Sequence, residues 1–313
     1  MMINQDYLFC ERWMGVEKIS LPSNTLFIFE RDTECRSSYC PENLKKGNQN
    51  TLFVGIVEQE EDIIEIGNEE TGKKTLSLHS SESICAYMEE KKASIVYLDV
   101  TGMSGRVVAP IMKALLEKGI ELRIVYVEPQ EYIIEEFQRE GVYKDLSEGI
   151  GGVDPLPGFA HFMPQDEESL FVALLGFEGW RFSYLLRVQE PADDRIRPVV
   201  GVPGYKMRYP YDSLWGNRNA IIKTECWRYL DFAEANSIVD VYNKLDELYR
   251  ENECRKMVIA PIGTKPHVIG AILYAIKNPD RVEILYDNPK RTLHRTKGVG
   301  RVTCCDVTSL YKE

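Results

Sequence analysis

The chain has 313 residues, with 38 Lys and Arg against 49 Asp and Glu, a formal net charge of −11 and a pI near 5.1. That balance argues against a broad nucleic-acid surface, which needs a basic excess, but leaves room for a local basic pocket around a small anion. At 44% hydrophobic and 28% charged residues the composition is that of an ordinary globular protein. The length favours one large α/β domain with an added module.

No apolar run approaches the roughly 20 residues a membrane span needs, and the first residues lack the apolar core of a signal peptide. The eight cysteines form no C-x-x-C pair, and with only four histidines no zinc-ligand spacing arises. The expectation is a cytoplasmic protein with reduced thiols and no metal site.

Residues 1–78 read as a β-rich N-terminal portion. Thr25–Phe29, Leu52–Val57, Asp62–Ile66 and Thr75–Leu78 are short strand candidates, and Arg31–Asn50 is polar and reads as a long loop. Residues 79–313 read as a Rossmann-like α/β domain with a mostly parallel sheet. Ser80–Lys92 has a serine cap and one apolar face, which predicts a helix. Ile95–Val100 is an apolar strand, Thr101–Arg106 a small-residue turn ending in a cation, Val107–Leu116 helical and Leu122–Tyr126 the next strand.

Beyond these, Glu131–Glu140 reads as a charged helix. The Gly/Pro-rich passage from Gly149 to Gly158 punctuates the middle of the chain. Glu167–Leu175 is amphipathic, and Glu178 and Arg181 are spaced to pair on one helix face. Pro198–Pro203 is a buried-strand candidate. The turn after it carries Tyr205, Lys206, Arg208 and Tyr209, and Trp215, Asn217 and Arg218 extend the same character. Such a segment suits base stacking and phosphate contact, and equally an interface between protomers. Ala233–Glu251 is a long amphipathic helix, Gly298–Arg301 a tight turn and Val302–Val307 a closing strand.

The strand–turn–helix–strand pattern occurs twice. Met257–Ile262 is an apolar strand, Gly263-Thr-Lys-Pro-His267 the turn, Val268–Ile276 the helix and Val282–Tyr286 the second strand. One unit closes on Tyr126-Val-Glu-Pro129 and the other on Tyr286-Asp-Asn-Pro289. Each turn holds Thr, Gly and a cation, which suggests two similar halves of one site. In an open α/β sheet such turns lie at the carboxyl ends of strands, where ligands bind. Gly263 allows close backbone approach, Thr264 can cap the helix, Lys265 supplies charge and the helix end favours an anion. Thr101, Gly102, Ser104 and Arg106 are the matching candidates, with Asp99, Lys206 and Arg208 behind them.

Ligand identity and any cofactor stay unknown from sequence. Gly-x-Ser-x-Gly, Walker A and His-Glu-x-x-His motifs are absent, and no Gly-x-Gly-x-x-Gly follows a strand. If the protein is instead an enzyme of phosphoryl or glycosyl transfer, Asp99, Glu128 and His267 are the candidate acids and bases. A third expectation is a structural subunit of a larger complex, with residues 205–218 as its interface.

The segment Gly263–His267, after an apolar strand and before a small-residue helix, resembles the Gly-Gly-Thr-Lys motif of CARF domains, the Rossmann-like sensors of CRISPR-linked defence. In that family two domains pair and their loops cradle a cyclic oligonucleotide. The resemblance implies a ligand role for Gly263, Thr264 and Lys265, and by position for Thr101, Gly102 and Ser104. Ile262 stands where the family has its first glycine, and no Arg-x-x-x-x-x-His helix of an attached nuclease is evident. On this resemblance the chain is a nucleotide sensor or partner subunit in prokaryotic defence, oligomeric like the family.

Overall fold

The structure, a computed structural model, describes residues 6–32, 34–69, 72–133, 146–160, 169–252 and 255–313. In chain order the first elements are α1 (Asp6–Phe9), β1 (Cys10–Trp13), β2 (Thr25–Glu30), α2 (Arg36–Leu44), β3 (Leu52–Glu58), β4 (Ile63–Asn68) and β5 (Gly72–Ser77). Then come α3 (Ser81–Glu90), β6 (Ile95–Asp99), α4 (Gly105–Lys118), β7 (Glu121–Tyr132), β8 (Ser147–Ile150), β9 (Leu170–Leu175), α5 (Gly179–Gln189) and β10 (Ile196–Gly201). The last part runs α6 (Tyr209–Lys223), β11 (Asp231–Ala233), α7 (Ile238–Glu251), β12 (Met257–Pro261), α8 (Lys265–Lys277), β13 (Val282–Ile284), β14 (Pro289–Arg291), β15 (Thr296–Asp306) and α9 (Val307–Lys312).

The chain divides into two compact units, Met1–Ile133 with Leu293–Glu313, and Ile134–Thr292. The sequence suggests a boundary after residue 78. Instead β2 and β3 share a sheet with β6 and β7, and β1 pairs with β15 from the far end of the chain. The reason is legible in hindsight: Leu26 to Phe29 is a continuous buried run, as expected of a central parallel strand covered on both faces rather than a strand of a separate half-exposed β module.

The first unit has an eight-stranded sheet in the order β1-β15-β7-β6-β2-β3-β4-β5. Its centre, β7-β6-β2-β3, is parallel, and the margins are antiparallel. The outer strand β5 is exposed and carries Lys73 and Lys74, charges that discourage edge-to-edge association. Helix α2 packs on β2 and β7, while α3 and α4 pack on each other. The second unit has a five-stranded, wholly parallel sheet in the order β11-β10-β9-β12-β13. Its chain goes outward from β9 through β10 to β11, then returns to the other side of β9. Helices α5 and α6 pack together, as do α7 and α8, so right-handed crossovers put the pairs on opposite faces. The fold is α/β, with two Rossmann-like units.

Several local readings are corrected. Arg31–Asn50 is not all loop: α2 occupies Arg36–Leu44, and its buried side is Arg36, Ser37, Cys40, Pro41 and Leu44, too polar to betray a helical period. Gly298–Arg301 is not a turn but lies inside β15, at a register shift against β7 between Val299 and Val302, a β-bulge. Glu131 and Tyr132 continue β7, and the rest of the expected helix up to Glu140 lies outside the described residues. Leu170–Leu175 is a fully buried strand, since a short apolar run fits strand and helix alike; Glu167 lies outside the described residues. Ala233 ends β11, and the long helix starts at Ile238. Cys10 and Cys305 face each other across β1 and β15 and form a disulfide, where reduced thiols were expected. No helix among the described residues is long and apolar enough to cross a membrane.

Backbone contact between helices fixes the α5–α6 pair. A Cβ on Gly179 would lie 1.9 Å from the Gly216 carbonyl oxygen, and one on Gly216 would lie 2.1 Å from that of Phe177. Gly216→Ala is therefore expected to cost about 1–3 kcal/mol by overpacking. In urea denaturation this reads as a lower midpoint at unchanged slope; an unchanged midpoint contradicts the contact.

Candidate functional site

In open α/β sheets ligands bind outside the carboxyl ends of the strands, where the strand order reverses. In the second unit this point lies between β9 and β12; in the first it lies between β2 and β6. The two turns picked from sequence each follow the strand just beyond that point, β6 before Thr101–Arg106 and β12 before Gly263–Lys265. The sequence repeat is thus a repeat of topological position. The same contact recurs in both. A Cβ on Gly102 would come within 2.3 Å of the Glu30 carbonyl at the end of β2, and one on Gly263 within 2.7 Å of the Leu175 carbonyl at the end of β9. Both glycines are required by the neighbouring strand end.

The two turns belong to separate units. In the first unit, Asp99 is buried and accepts the Thr101 N–H at 3.0 Å, and the buried Thr101 hydroxyl accepts the Val127 N–H at 3.0 Å. Ser104 caps α4 by accepting from the Val107 N–H at 3.2 Å. Arg106 holds Asp62 with two nitrogens, one contact at 2.7 Å. Burial works against the Asp62 carboxylate, but Arg106 and His79 outweigh it and keep its pKa below the usual range. Glu128 is buried and accepts from Arg301 at 3.0 Å. These groups all have work inside the fold.

In the second unit, Thr264 caps α8, and its hydroxyl donates to the Ala235 carbonyl at 2.7 Å. The Ala235 N–H in turn donates to the Pro203 carbonyl at 3.1 Å. The turns after β12, β11 and β10 are therefore linked along one carboxyl edge, and the last of them leads into Lys206 and Arg208. Arg208 reaches Asp212 at 2.9 Å with its own side chain mostly exposed. Lys265 opens α8 and is half-buried. Pro266 has no N–H, and the His267 N–H is directed at the Thr264 hydroxyl. The field of the helix end and the Lys265 ammonium, rather than a ring of N–H groups, are what this turn offers an anion.

His267 is fully buried, with Nε2 at 3.0 Å from the Glu234 carbonyl. Burial lowers its pKa to about 4, against the opposing pull of that carbonyl. It is a neutral residue pinning the β11–α7 connection, remote in character from a solvent-poised acid or base.

One cluster at this edge was only half foreseen. The expected Glu178–Arg181 pair exists at 3.0 Å, but Arg181 also forms two bonds to Asp287, at 2.6 and 2.7 Å, and one to the Ile262 carbonyl at 3.3 Å. Desolvation opposes the buried guanidinium, and the Asp287 bonds more than restore its charged form. Asp287 stands in Tyr286-Asp-Asn-Pro289 where the first unit has Tyr126-Val-Glu-Pro129. Each segment holds one acid tied to an Arg from another element, Asp287 to Arg181 and Glu128 to Arg301, though Asp287 lies two positions before its Pro and Glu128 directly before its own. The Asp287 partner could not be read from sequence because 106 positions separate the pair. Among the described residues no group of His, Cys, Asp and Glu is arranged to hold a metal ion.

Comparison with known proteins adds little. No family model matches the chain, and no curated protein matches it. A solved CobK precorrin-6A reductase aligns over 87% of this chain and 90% of its own, at 14% identity and a TM-score of 0.24. That likeness is too loose to bear on function.

The buried imidazole gives a pH signature. In the unfolded chain His267 has an ordinary pKa of 6.5 and in the fold about 4, so the unfolded state binds the extra proton between them. Stability is then lost as pH falls from about 6.5 to about 4, by up to roughly 3 kcal/mol. His267→Gln is expected to flatten the stability profile in that window; the same slope in the variant contradicts the assignment.

Proposed function

We propose that the second unit binds a nucleotide or related phosphorylated small molecule at the carboxyl edge of its sheet. The observation that supports this most is the position of Gly263–Lys265. The turn lies at the reversal of strand order, it opens a helix of 13 residues, and it places a lysine at the first helical position. Helix field and ammonium favour an anion at that spot. Lys206 and Arg208 follow β10 on the same edge, and the hydrogen bonds through Ala235 link their turn to that of Thr264. A sensing role in defence, of the CARF kind, rests on the resemblance of residues 263–267.

Thermal denaturation with nucleotides, cyclic oligonucleotides and sugar phosphates tests this reading. A ligand at 100 times its Kd adds about 2.7 kcal/mol, enough for a clear rise in Tm. The rise is expected to vanish in Lys265→Ala. No rise with any of these compounds, or a full rise in the variant, contradicts it.

A second reading, a subunit of a larger protein complex, is favoured by one surface. Tyr211, Trp215 and Ile222 lie on one stripe of α6 and are 74%, 48% and 68% exposed, and Arg218 on the same stripe stacks over the Trp215 ring at 4.3 Å. Trp, Tyr and Arg are the residues that anchor protein interfaces. On this reading Trp215→Ala lowers the mass of the assembled species in sedimentation; an unchanged mass in wild type and variant contradicts it.

A further inference from the structure

Across the first unit's sheet, four residues stand in register on neighbouring strands: Phe29 opposite Gly55, Gly55 opposite Gly67, and Gly67 opposite Lys73. Residues in such a row share a face. Two adjacent strands thus present bare backbone between an aromatic ring and a lysine, a floor about 10 Å wide at the usual strand spacing. Above it is an open groove of about 650 Å³, within the range of small-molecule sites.

The two glycines differ in cause. Gly67 has φ +144°, and a Cβ there would meet the Gly72 carbonyl at 2.1 Å, so the β4–β5 hairpin demands it. Gly55 has no such excuse. Its backbone lies outside the left-handed region, and a Cβ would meet nothing closer than 3.8 Å. A glycine inside a strand weakens it, and where packing gives no reason, it marks a place where something else approaches the backbone.

The walls say what that is. Phe29 and Phe53 close one side, and Lys45 at the end of α2 stands 5.8 and 5.6 Å from their ring centroids. Arg31 and Lys73 complete the cationic rim, the latter paired with Glu65 at 2.6 Å; Glu69 is the acid in the lining. A flat backbone floor, two largely buried rings at its side and three cations, one of them paired with Glu65, beside the acid Glu69 suit a planar aromatic group carrying an anion. We infer that this groove is a binding site for a nucleotide, the base lying on the Gly55–Gly67 floor and the phosphate toward Lys45, Lys73 and Arg31. It is separate from the edge site of the second unit and does not depend on it.

Calorimetric titration of the full chain with AMP, adenosine and inorganic phosphate tests the assignment, using the Lys265→Ala background to silence the other site. AMP is expected to bind that background more tightly than adenosine or phosphate. Adding Gly55→Val, which fills the floor, is expected to weaken AMP by at least about tenfold while leaving Tm unchanged or higher. Lys45→Ala serves as a second variant with the same direction of effect should Gly55→Val fold poorly. AMP affinity unchanged by both variants overturns the inference, as does absence of AMP binding at millimolar concentration. Binding abolished by Lys265→Ala alone overturns it too, while supporting the edge site.

Discussion

The close approach of backbone at each reversal of strand order is the constraint on which both units depend. Gly102 lies against the end of β2 and Gly263 against the end of β9. A side chain at either position would push apart the two strands from which the chain winds in opposite directions. With the strand ends in contact, the helix that follows starts on the carboxyl edge, capped by Ser104 in one unit and Thr264 in the other. Fold and candidate site are thus set by one local geometry, used twice.

Polar side chains then lock the loops of that edge. Thr264 ties β12's turn to Ala235, Ala235 ties on to Pro203, and Arg181 ties β13's end to Glu178 and Ile262. The first unit has its own buried network, in which Glu34 accepts from Arg36, Arg295 and Thr296. Burial opposes its charge, yet the two guanidiniums bring its pKa down to about 2. These bonds tie segments distant in sequence to one another. They also explain why many of the sequence candidates serve structure: Thr101, Ser104, Arg106, Glu128 and His267 all have internal partners, and Lys265 is placed at the helix start.

Much of this was legible in the chain. The apolar runs of β2, β6, β10 and β12 announced strands, and the repeated turn announced equivalent positions, because periodicity and small-residue turns are local signals. Long-range pairing was not legible. The placement of β2 beside β6, the β1–β15 edge and the Arg181–Asp287 bond depend on contacts between distant segments. Helix α2 was hidden because its buried face begins with the polar Arg36 and Ser37 and carries Pro41 within it, with Arg36 spent on Glu34 and the Val127 carbonyl. The Phe29–Gly55–Gly67–Lys73 row was hidden for a related reason: register across four strands emerges only when the sheet is assembled.

The most direct test of the edge site is amide NMR of the full chain during titration with a nucleotide that raises Tm. The account predicts that the Gly263, Thr264 and Lys265 amides shift in a saturable way, and that these shifts disappear in Lys265→Ala. Saturable binding that leaves those amides unmoved would contradict it.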